Sequence, residues 1–424
     1  MTTVHVIGAG LAGLSCALRC ATAGRKVALY EAAGHAGGRC RSFADESLGT
    51  VIDTGTHIMV GAYTATKAYL SDIGGWKMVE EVAPAAFPFI DLARNERWVV
   101  RPSAGLIPSW IWTPGRRVLG APLAEYFRAL KLAWARDRDT VGDVIGRGVL
   151  YDRLWQPLSR AILNTDADDA SARLMWQAIA LTFAKGEAAC RPILFTHGLS
   201  PALVDPALAL LRRHGADVRF MSRLRGLKLQ DNRVAALEFG EGLLRTETDD
   251  VVVLAVPPDA AADLLPGLTV PNQSRAILNA HFMLESRPEL PGGLPFIGVV
   301  GAESQWLFVR DRLVSVTISA ADSIIDQPAF EVANRLWAEV CRVLGRNVGR
   351  MPPWRIIKEK RATMAQTPAM LKRRPHAETG IANLFLAGDW TDTGLPATIE
   401  SAIRSGYRAA QLALMPRTAP SGSG

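Results

Sequence analysis

The segment GAGLAG at residues 8–13 has three glycines at the spacing that dinucleotide-binding turns require. It directly follows a short apolar stretch, residues 4–7, that predicts a β-strand. In a strand–turn–helix of this kind, Gly8 permits the tight turn, Gly10 lets the backbone approach a pyrophosphate, and Gly13 lets the helix pack on the strand. The spacing therefore predicts a site for the diphosphate of a dinucleotide.

A helix and a second strand complete this predicted site. Residues 14–23 predict a helix whose N-terminus offers backbone N–H groups to the phosphates, and Leu11 and Ala12 just before it are predicted contacts as well. Residues 27–31 predict a strand ending at Glu31, whose carboxylate would accept hydrogen bonds from the adenosine ribose. A glycine-rich turn with no ligand could have the same sequence, but the strand–helix–strand context favours a cofactor site.

A second glycine pair indicates which dinucleotide this is. Gly37 and Gly38 stand a few residues beyond Glu31 and are followed by Arg39. A nicotinamide dehydrogenase has no reason to place glycines and a cation there, and a surface loop would be the structural alternative. The arrangement resembles the large FAD-containing class of glutathione reductase and the amine oxidases, which uses this arginine near the flavin. We therefore predict FAD, with Gly38 and Arg39 among its contacts.

The other half of the predicted flavin site lies near the C-terminus. Residues 383–389 predict a buried strand that ends in Gly-Asp, and residues 394–400 open a helix. Asp389 is suited to hold a ribityl hydroxyl, and the N–H groups of Ala397 and Thr398 could stabilise negative charge at the flavin N1–C2=O edge. An ordinary strand–turn–helix is the alternative. The predicted contacts in this half are Gly388, Asp389, Pro396, Ala397 and Thr398.

These motifs predict an α/β protein with a Rossmann-like FAD-binding domain of the glutathione reductase and amine oxidase type, discontinuous in sequence, and an inserted α+β substrate domain. The FAD-binding domain is predicted to comprise residues 1–83, 196–264 and 371–416. The substrate domain, which would also face the membrane, is predicted to comprise residues 84–195 and 265–370, and residues 417–424 form a flexible tail. Strands predicted at 217–225, 233–239 and 249–258 belong to the middle FAD segment, where the backbone of Leu224 would contact adenine.

The composition argues against several other classes of protein. The 424 residues are 49% apolar and 21% charged, which is typical of a folded protein of two or three domains. The longest uncharged run, residues 2–18, is shorter than the roughly 20 apolar residues of a membrane-spanning helix and lacks the basic start of a secretory signal. The five cysteines include no CxxC pair, so neither a disulfide framework nor a metal site is predicted. The same cysteine content predicts a cytoplasmic protein.

The net charge of +7 is unevenly distributed. Residues 110–138 contain six Lys and Arg residues against two acidic ones, interleaved with three tryptophans, a tyrosine and a phenylalanine. Aromatic rings beside cations suit a lipid headgroup boundary, so this stretch predicts peripheral contact with the inner face of the cell membrane. A solvated basic face on a helix pair is the alternative, and no nucleic-acid-binding motif accompanies the charge.

Four segments together resemble one family. They are DTGTHIMVGAY at 53–63, LNT at 163–165 with ASAR at 170–173, KEKRAT at 358–363, and GDWT at 388–391 through GLPATIE at 394–400. The chain resembles the bacterial squalene-associated FAD-dependent desaturases, or hydroxysqualene dehydroxylases, within the phytoene desaturase and amine oxidase superfamily. The resemblance covers nearly the whole chain, although the family often has Gly where this chain has Ser401.

The resemblance implies an enzyme of squalene and hopanoid biosynthesis that uses reduced, non-covalently bound FAD to convert hydroxysqualene, a long isoprenoid, to squalene with loss of water. Thr54, Gly55 and Thr56 would then approach the flavin ring. A carotenoid-type polyene desaturase is an alternative with the same fold, a flavin amine oxidase is less favoured, and a non-catalytic protein with a vestigial flavin fold is disfavoured by the intact motifs. Nothing in the sequence identifies the electron donor to the flavin.

Three residues are candidates for the catalytic groups. His57 follows the segment that approaches the flavin and is a competent acid near neutral pH, unless packing alone holds it. Asn164 and Asp166 form a polar break in the helical region 154–181 and could hold or protonate the substrate hydroxyl. Their structural alternative is an N-cap, with Thr165 or Asp166 starting a new helix. Lys360 and Arg361 would face either the flavin or solvent.

Overall fold

The computed structural model describes residues 2–415, so the tail predicted at 417–424 lies outside the described residues. The strands are β1 (Thr3–Ile7), β2 (Lys26–Tyr30), β3 (Ser42–Asp45), β4 (Thr50–Asp53), β5 (Ile58–Val60), β6 (Val79–Glu81), β7 (Phe87–Asp91), β8 (Glu96–Val100), β9 (Pro192–Phe195), β10 (Asp217–Arg219), β11 (Leu224–Gln230), β12 (Arg233–Phe239), β13 (Gly242–Arg245), β14 (Val251–Leu254), β15 (Ser274–Met283), β16 (Phe296–Val300), β17 (Trp306–Arg310), β18 (Leu313–Ser319), β19 (Trp354–Met364) and β20 (Leu384–Leu386). The α-helices are α1 (Leu11–Thr22), α2 (Thr64–Ile73), α3 (Leu123–Phe127), α4 (Val141–Ile145), α5 (Gln156–Leu163), α6 (Ala172–Leu181), α7 (Glu187–Cys190), α8 (Asp205–Arg213), α9 (Pro258–Leu264), α10 (Ala329–Val343), α11 (Pro368–Leu371) and α12 (Ile399–Leu414).

A parallel sheet of five strands, in the order β10-β2-β1-β14-β20, carries the N-terminal glycine motif. Its central strands are apolar almost throughout, because both faces of the sheet are covered. One face packs on α1, α8 and α12, and the other packs on the antiparallel sheet β11-β12-β13. The five strands come from residues 3–30, 217–254 and 384–386.

A second, seven-stranded sheet has the order β19-β15-β18-β17-β16-β7-β8 and is antiparallel except between β16 and β7. The apolar side chains of one face pack on the amphipathic helix α10. The other face is covered in part by a helical layer, residues 109–181, that shares an aromatic-rich core with β7 and β8. This combination of helices and a large mixed sheet is the α+β architecture predicted for the inserted region.

The predicted strands and helices are largely present, with two corrections. Residues 217–225 were predicted as one strand, but β10 ends at Arg219 in the parallel sheet, and β11 starts at Leu224 in a different sheet. The break inside the helical region 154–181 is also capped differently from the prediction. Asn164 ends α5 with a left-handed conformation and Ser171 caps α6, so neither Thr165 nor Asp166 starts the second helix.

Residues 2–415 contain neither a membrane-spanning helix nor a cluster of metal-binding side chains. None of the helices within residues 2–415 is long and apolar enough to cross a bilayer. The same residues contain no group of three or more His, Cys, Asp or Glu side chains placed to hold a metal ion.

Candidate active site

The N-terminal glycine turn has the geometry that its spacing predicts. Gly8 adopts a φ of 103°, and a Cβ at this position would lie 2.4 Å from the carbonyl oxygen of Ala255. A Cβ at Gly13 would lie 1.8 Å from the carbonyl oxygen of Gly8, so only glycine lets α1 pack this closely on the strand. By contrast, a Cβ at Gly10 would meet no atom within 4 Å, which leaves the backbone open to a ligand. Helix α1 begins at Leu11, three residues before the prediction, without a side-chain cap on its first turn.

The second glycine pair and Glu31 lie against this turn. Gly37 donates its backbone N–H to the carbonyl oxygen of Ala9 over 2.8 Å, and Gly38 approaches Gly10 so closely that a Cβ would lie 3.4 Å from its Cα. Glu31, directly after β2, accepts the backbone N–H of Ala9 over 2.8 Å. The sequence motifs therefore converge at one end of the parallel sheet, where a dinucleotide would bind.

Arg39 and Asp389 join the two halves of the predicted flavin site. The Arg39 guanidinium donates to Oδ1 of Asp389 over 2.6 Å and to the carbonyl oxygen of Ala362 over 2.5 Å. The Asp389 carboxylate is buried, and its charge raises the pKa of Arg39. Two motifs that are 350 positions apart in the sequence thus form one cluster of opposite charges.

The segment Thr54–Gly55–Thr56 lies between this cluster and the large sheet. The Thr54 hydroxyl donates to the carbonyl oxygen of Arg39 over 2.8 Å, and the Thr54 carbonyl accepts the side-chain N–H of Asn279 over 3.2 Å. Asn279 lies on β15, is almost fully buried, and accepts the hydroxyl of Thr317 over 2.8 Å. Asn279 was not among the predicted site residues, although the alternation of apolar and polar side chains over residues 278–282 indicates a strand with one polar face.

His57 is held at the same segment. Its Nδ1–H donates to the carbonyl oxygen of Gly55 over 2.6 Å, so Nε2 is the ring atom that can take up or release a proton. Burial lowers the pKa of His57, and the hydrogen bond to Gly55 opposes this shift. The imidazole is thus oriented by the backbone of the predicted flavin segment.

Asn164 and Asp166 do not have the surroundings that a catalytic role requires. The side-chain N–H groups of Asn164 donate to the carbonyl oxygen of Arg275 and the hydroxyl of Thr363, and its oxygen accepts the backbone N–H of Ala320 over 2.6 Å. Through these bonds the amide connects the end of α5 to the large sheet. Asp166 is partly exposed and paired with Arg160 over 2.5 Å, so it is not the desolvated acid that the prediction needs.

One N–H group predicted to contact the flavin has a partner within the protein. The N–H of Ala397 donates to Oε1 of Gln366 over 2.9 Å, and its contact with the flavin edge stays a prediction. Gln366 is fully buried and also donates to the carbonyl oxygen of Leu163. Thr398 is the N-cap of α12, and its hydroxyl accepts the N–H of Ser401 over 3.3 Å. The contacts predicted for Pro396 and Thr398 stay predictions.

Other candidates lie at the edge of the site or outside it. Leu224 is buried at the start of β11, beside the parallel sheet. Lys360 and Arg361 are exposed and pair with Asp326 and Asp259, which favours the structural interpretation of both cations.

Sequence reasoning missed the role of Glu400. Its buried carboxylate accepts the backbone N–H groups of Ala65 and Thr66 over 3.0 and 2.8 Å, so it caps the N-terminus of α2 and complements the dipole of that helix. Arg404, one turn later in α12, donates to the same carboxylate over 2.7 Å. The GLPATIE motif therefore fixes the position of α2 as well as the start of its own helix.

The residues present fit FAD. The glycine turn leaves backbone space at Gly10 and an uncapped helix N-terminus for a diphosphate, and Glu31 stands where an adenosine ribose would lie. Arg39, Asp389 and the segment 54–56 extend the site towards the large sheet. Fold and site together define an FAD-dependent oxidoreductase.

Comparisons with known proteins agree. The profile of the flavin containing amine oxidoreductase family matches residues 11–414. The hydroxysqualene dehydroxylase of Rhodopseudomonas palustris is 45% identical over 414 residues, which cover 97% of this chain and 98% of that protein. That of Zymomonas mobilis is 39% identical, with coverages of 98% and 99%. The chain belongs to the flavin containing amine oxidoreductase family and, within it, to the hydroxysqualene dehydroxylases.

More distant proteins are also similar to this chain. A 15-cis-phytoene desaturase of Synechococcus elongatus is 24% identical over 467 residues, which cover 96% of this chain and 95% of that protein. The solved structure of an oxidoreductase from Methanosarcina mazei superposes with a TM-score of 0.73 at 11% identity, covering 97% of this chain and all of that one. At that identity the superposition indicates a shared fold only.

Proposed function

We propose that the protein reduces hydroxysqualene to squalene and releases water. The observation that carries this proposal is the 45% identity to a hydroxysqualene dehydroxylase across nearly the whole of both chains. Contacts of three motif residues support it: Arg39 pairs with Asp389, and His57 is bonded to the carbonyl oxygen of Gly55. Squalene formation would place the enzyme in the supply of squalene for hopanoid biosynthesis.

The reaction is balanced by one proton and one hydride. The hydroxyl of hydroxysqualene is allylic, so protonating it and breaking the C–O bond releases water and leaves a delocalised cation. Reduced FAD, when bound, supplies the hydride that quenches this cation. The protein must therefore place an acid near the hydroxyl and keep other nucleophiles, including water, away from the cation.

We assign the acid role to His57. Its Nδ1–H is fixed on the carbonyl oxygen of Gly55, which leaves Nε2 to carry the proton given to the substrate hydroxyl. Burial lowers the pKa of this imidazole, so the protonated ring is a stronger acid than a histidine in water. Asn279 supports this geometry by holding the neighbouring carbonyl of Thr54.

The FAD is proposed to be non-covalent and to bind the discontinuous domain formed by residues 1–83, 196–264 and 371–416. All five cysteines are buried, and the one nearest in sequence to the C-terminal motif, Cys341, packs in the core of the large sheet. Precipitating the purified protein with acid tests this proposal. The yellow colour should remain in the supernatant, and colour retained in the pellet would contradict it.

A polyene desaturase that runs hydride transfer in the opposite direction is the second candidate. It is less favoured, because the phytoene desaturase likeness is only 24% against 45% for the dehydroxylase. An anaerobic experiment separates the two reactions. Hydroxysqualene added to the photoreduced enzyme should reoxidise the flavin in step with squalene formation, whereas reduction of the oxidised enzyme by a polyene would favour the desaturase.

The protein is also proposed to work at the surface of the inner membrane, where its substrate dissolves. Eight of the fifteen strongly exposed large apolar side chains of residues 2–415 fall between positions 106 and 134. Lys131 is exposed within this stretch and Arg138 just after it, and their positive charge would attract anionic headgroups. The eight are Leu106, Ile107, Trp112, Leu119, Leu123, Phe127, Leu130 and Trp134, called here the apolar surface.

Vesicle flotation tests the role of the apolar surface. The protein should float with vesicles of phosphatidylglycerol and phosphatidylcholine, and less with phosphatidylcholine alone. Replacing Trp112, Phe127 and Trp134 by serine should abolish flotation. The matched control replaces Met221, Leu229 and Leu243, exposed apolar residues outside this stretch, and should float like the unaltered protein. Equal flotation of both variants would contradict the proposal.

A further inference from the structure

Arg374 is the last of three consecutive basic residues and the only one of the three that is buried. Lys372 is exposed and Arg373 is half-buried, whereas Arg374 is 8% exposed. Its hydrogen bonds within residues 2–415 go to carbonyl and hydroxyl oxygens, and none goes to a carboxylate. Burying a cation without a paired carboxylate is costly unless hydrogen bonds replace its water, and burial accordingly lowers the pKa of Arg374. The acceptors of these bonds therefore indicate why the arginine is there.

All the acceptors of the Arg374 guanidinium belong to one short segment of the chain. Nε donates to the carbonyl oxygen of Thr391 over 2.9 Å, and Nη1 donates to that of Leu395 over 2.7 Å. Nη2 donates to the carbonyl oxygen of Asp389 and to the hydroxyl of Thr393, each over 3.1 Å. A guanidinium is a rigid planar fork of N–H groups, so the oxygens bonded to it are fixed relative to one another.

This segment, residues 388–395, is called here the Asp389 loop. It lies between β20 and α12 and contains neither helix nor strand, so its backbone groups need partners from elsewhere. At its start, the N–H of Gly388 donates to the hydroxyl of Ser405 over 2.8 Å, and the indole of Trp390 donates to the carbonyl oxygen of Val256 over 2.9 Å. Arg374 bonds the rest of the loop from residue 389 to residue 395, and it therefore determines the path of the backbone there.

Asp389 is bonded by two arginines at different atoms. Arg39 donates to its carboxylate over 2.6 Å, and Arg374 donates to its carbonyl oxygen over 3.1 Å. The Arg39 side chain is 44% exposed and can also contact a ligand, whereas the buried Arg374 uses its N–H groups within the protein. The direction of the Asp389 carboxylate depends on the backbone that carries it, so Arg374 contributes to that direction without touching the carboxylate.

The network continues to Ser401, the position at which the family often has glycine. The hydroxyl oxygens of Thr393 and Ser401 are 2.6 Å apart. Because the Thr393 oxygen accepts an N–H of Arg374, its own proton can be donated to the Ser401 oxygen. Ser401 is fully buried in the first turn of α12. Its hydroxyl therefore gives this chain one more bond between the Asp389 loop and the helix that follows it.

We propose that Arg374 is a positioning residue of the FAD site, which sets the conformation of the Asp389 loop and thereby directs the carboxylate of Asp389. The inference rests on the FAD site of the proposed function and does not depend on the substrate. A lysine at this position would keep the charge but not the bonds, because an ammonium group is a compact point charge without the planar fork of a guanidinium. Arg374→Lys should therefore raise the Kd for FAD about 10-fold, the scale of losing hydrogen bonds to a charged group.

A double-mutant cycle tests whether Arg374 acts through Asp389. Fluorescence anisotropy of the flavin over a dilution series of the holoenzyme gives the Kd for FAD of the unaltered protein, Arg374→Lys, Asp389→Asn and the double variant. If Arg374 acts through Asp389, the double variant should have nearly the Kd of Asp389→Asn alone, whereas a merely structural role would make the two effects multiply. Multiplied effects, or an unchanged Kd in either single variant, would overturn the proposal.

A second buried arginine serves as the matched control. Arg153 is 4% exposed and donates to the carbonyl oxygen of Leu119 and to the carboxylate of Asp91, both outside the segments predicted to bind FAD. Arg153→Lys should lower the melting temperature but leave the Kd for FAD unchanged. An increase in Kd as large as that of Arg374→Lys would show that the loss of any buried arginine weakens binding, and would reject the positioning role.

Thr393→Val takes the place of Arg374→Lys in the cycle if the lysine variant does not fold. It keeps Arg374 but removes one acceptor of its guanidinium and the bond to Ser401, and should raise the Kd for FAD about 3-fold. An unchanged Kd in Thr393→Val would in that case overturn the proposal.

The proposed function and the role of Arg374 can fail separately, because the Kd for FAD is measured without hydroxysqualene. If the unaltered holoenzyme leaves hydroxysqualene intact while the cycle shows that Arg374 acts through Asp389, only the proposed function fails. If hydroxysqualene is converted but Arg374→Lys binds FAD as tightly as the unaltered protein, only the role of Arg374 is rejected.

Discussion

The side chain of Asn279 donates a hydrogen bond to the carbonyl oxygen of Thr54 across 3.2 Å, although the two residues are 225 positions apart. This bond joins the seven-stranded sheet to the segment that leads into His57. A second bond, from the Thr317 hydroxyl to Oδ1 of Asn279, fixes which way the amide points. Asn279 is therefore a positioning residue through which the sheet sets the geometry of the proposed acid.

Substituting Asn279 by leucine should reduce both stability and turnover. The change keeps the size of the side chain but leaves the partly buried Thr54 carbonyl without this donor, at a cost of about 1–3 kcal/mol in the free energy of unfolding. Urea unfolding measures the stability, and the pH profile of kcat reports on His57. Thr317→Val is the matched control, since it removes only the second bond and should have the smaller effect. Equal effects of both changes would contradict this role.

His57→Ala should retain FAD but slow turnover by about 100-fold or more, the usual effect of losing a positioned acid. Because burial lowers the pKa of His57, the ring is protonated only at lower pH, so kcat of the unaltered enzyme should decrease as pH rises through that pKa. Stopped-flow measurements of flavin reoxidation between pH 5 and 8 give this decrease of the rate with pH. A profile unchanged in His57→Ala would remove the residue from the acid role.

The two glycines of the turn should respond differently to substitution. Gly10→Val adds a side chain in open space and should leave the protein folded, with FAD lost because the diphosphate cannot approach. Gly13→Ala places a Cβ against the carbonyl oxygen of Gly8 and should weaken folding as well. The ratio of absorbance at 450 and 280 nm measures FAD, and circular dichroism measures folding. Full flavin occupancy in Gly10→Val would contradict the assigned site.

Asp389→Asn should lower FAD occupancy, because it removes the charge that pairs with Arg39 across the two halves of the site. The matched control is Glu378→Gln, which breaks an exposed ion pair with Arg408 and should change little. Fluorescence titration of the apoprotein with FAD gives the Kd of each variant. An unchanged Kd in Asp389→Asn would show that the pair does not hold the cofactor.

Acid should destabilise the protein through His281. Burial lowers its pKa to about 4, so between pH 6.5 and 4 the unfolded chain binds a proton that the folded chain does not, and stability falls as pH falls. Between pH 7 and 5 this amounts to about 2 kcal/mol. Urea unfolding at the two pH values should show a smaller difference in His281→Gln, while the exposed His214→Gln keeps the full difference. Equal differences in both variants would contradict this account.

The sequence predicts those parts of the site that local spacing determines. Gly8, Gly13 and Glu31 lie within one strand–helix–strand unit, where each residue type follows from the backbone it must allow. Arg39 and Asp389 are recognisable because each ends a short motif, although only the structure shows that they form a pair. Four strands of the five-stranded sheet, β1, β2, β14 and β20, are recognisable because they are short and largely apolar. The fifth, β10, reads Asp-Val-Arg and was predicted as part of a longer strand.

What the sequence does not predict depends on partners far along the chain. The amide of Asn164 is chemically suited to bind a substrate, but its three hydrogen-bond partners belong to residues 275, 320 and 363. Gln366 takes the N–H of Ala397, and Glu400 caps α2 from 334 positions away. Such contacts form only when the two sheets pack together. They therefore cannot be predicted from the periodicity or motifs of a short segment of sequence.

The position of β14 between β1 and β20 has a consequence for synthesis of the protein on the ribosome. β1 pairs with β14 some 247 positions later, and β20 completes the sheet only at Leu386. Asp389, which the flavin site needs, follows β20. The cofactor site is therefore completed only after nine-tenths of the chain has been made, and until then the edge of β14 stays open to other strands. A nascent chain that stalls before residue 384 is expected to need a chaperone rather than FAD.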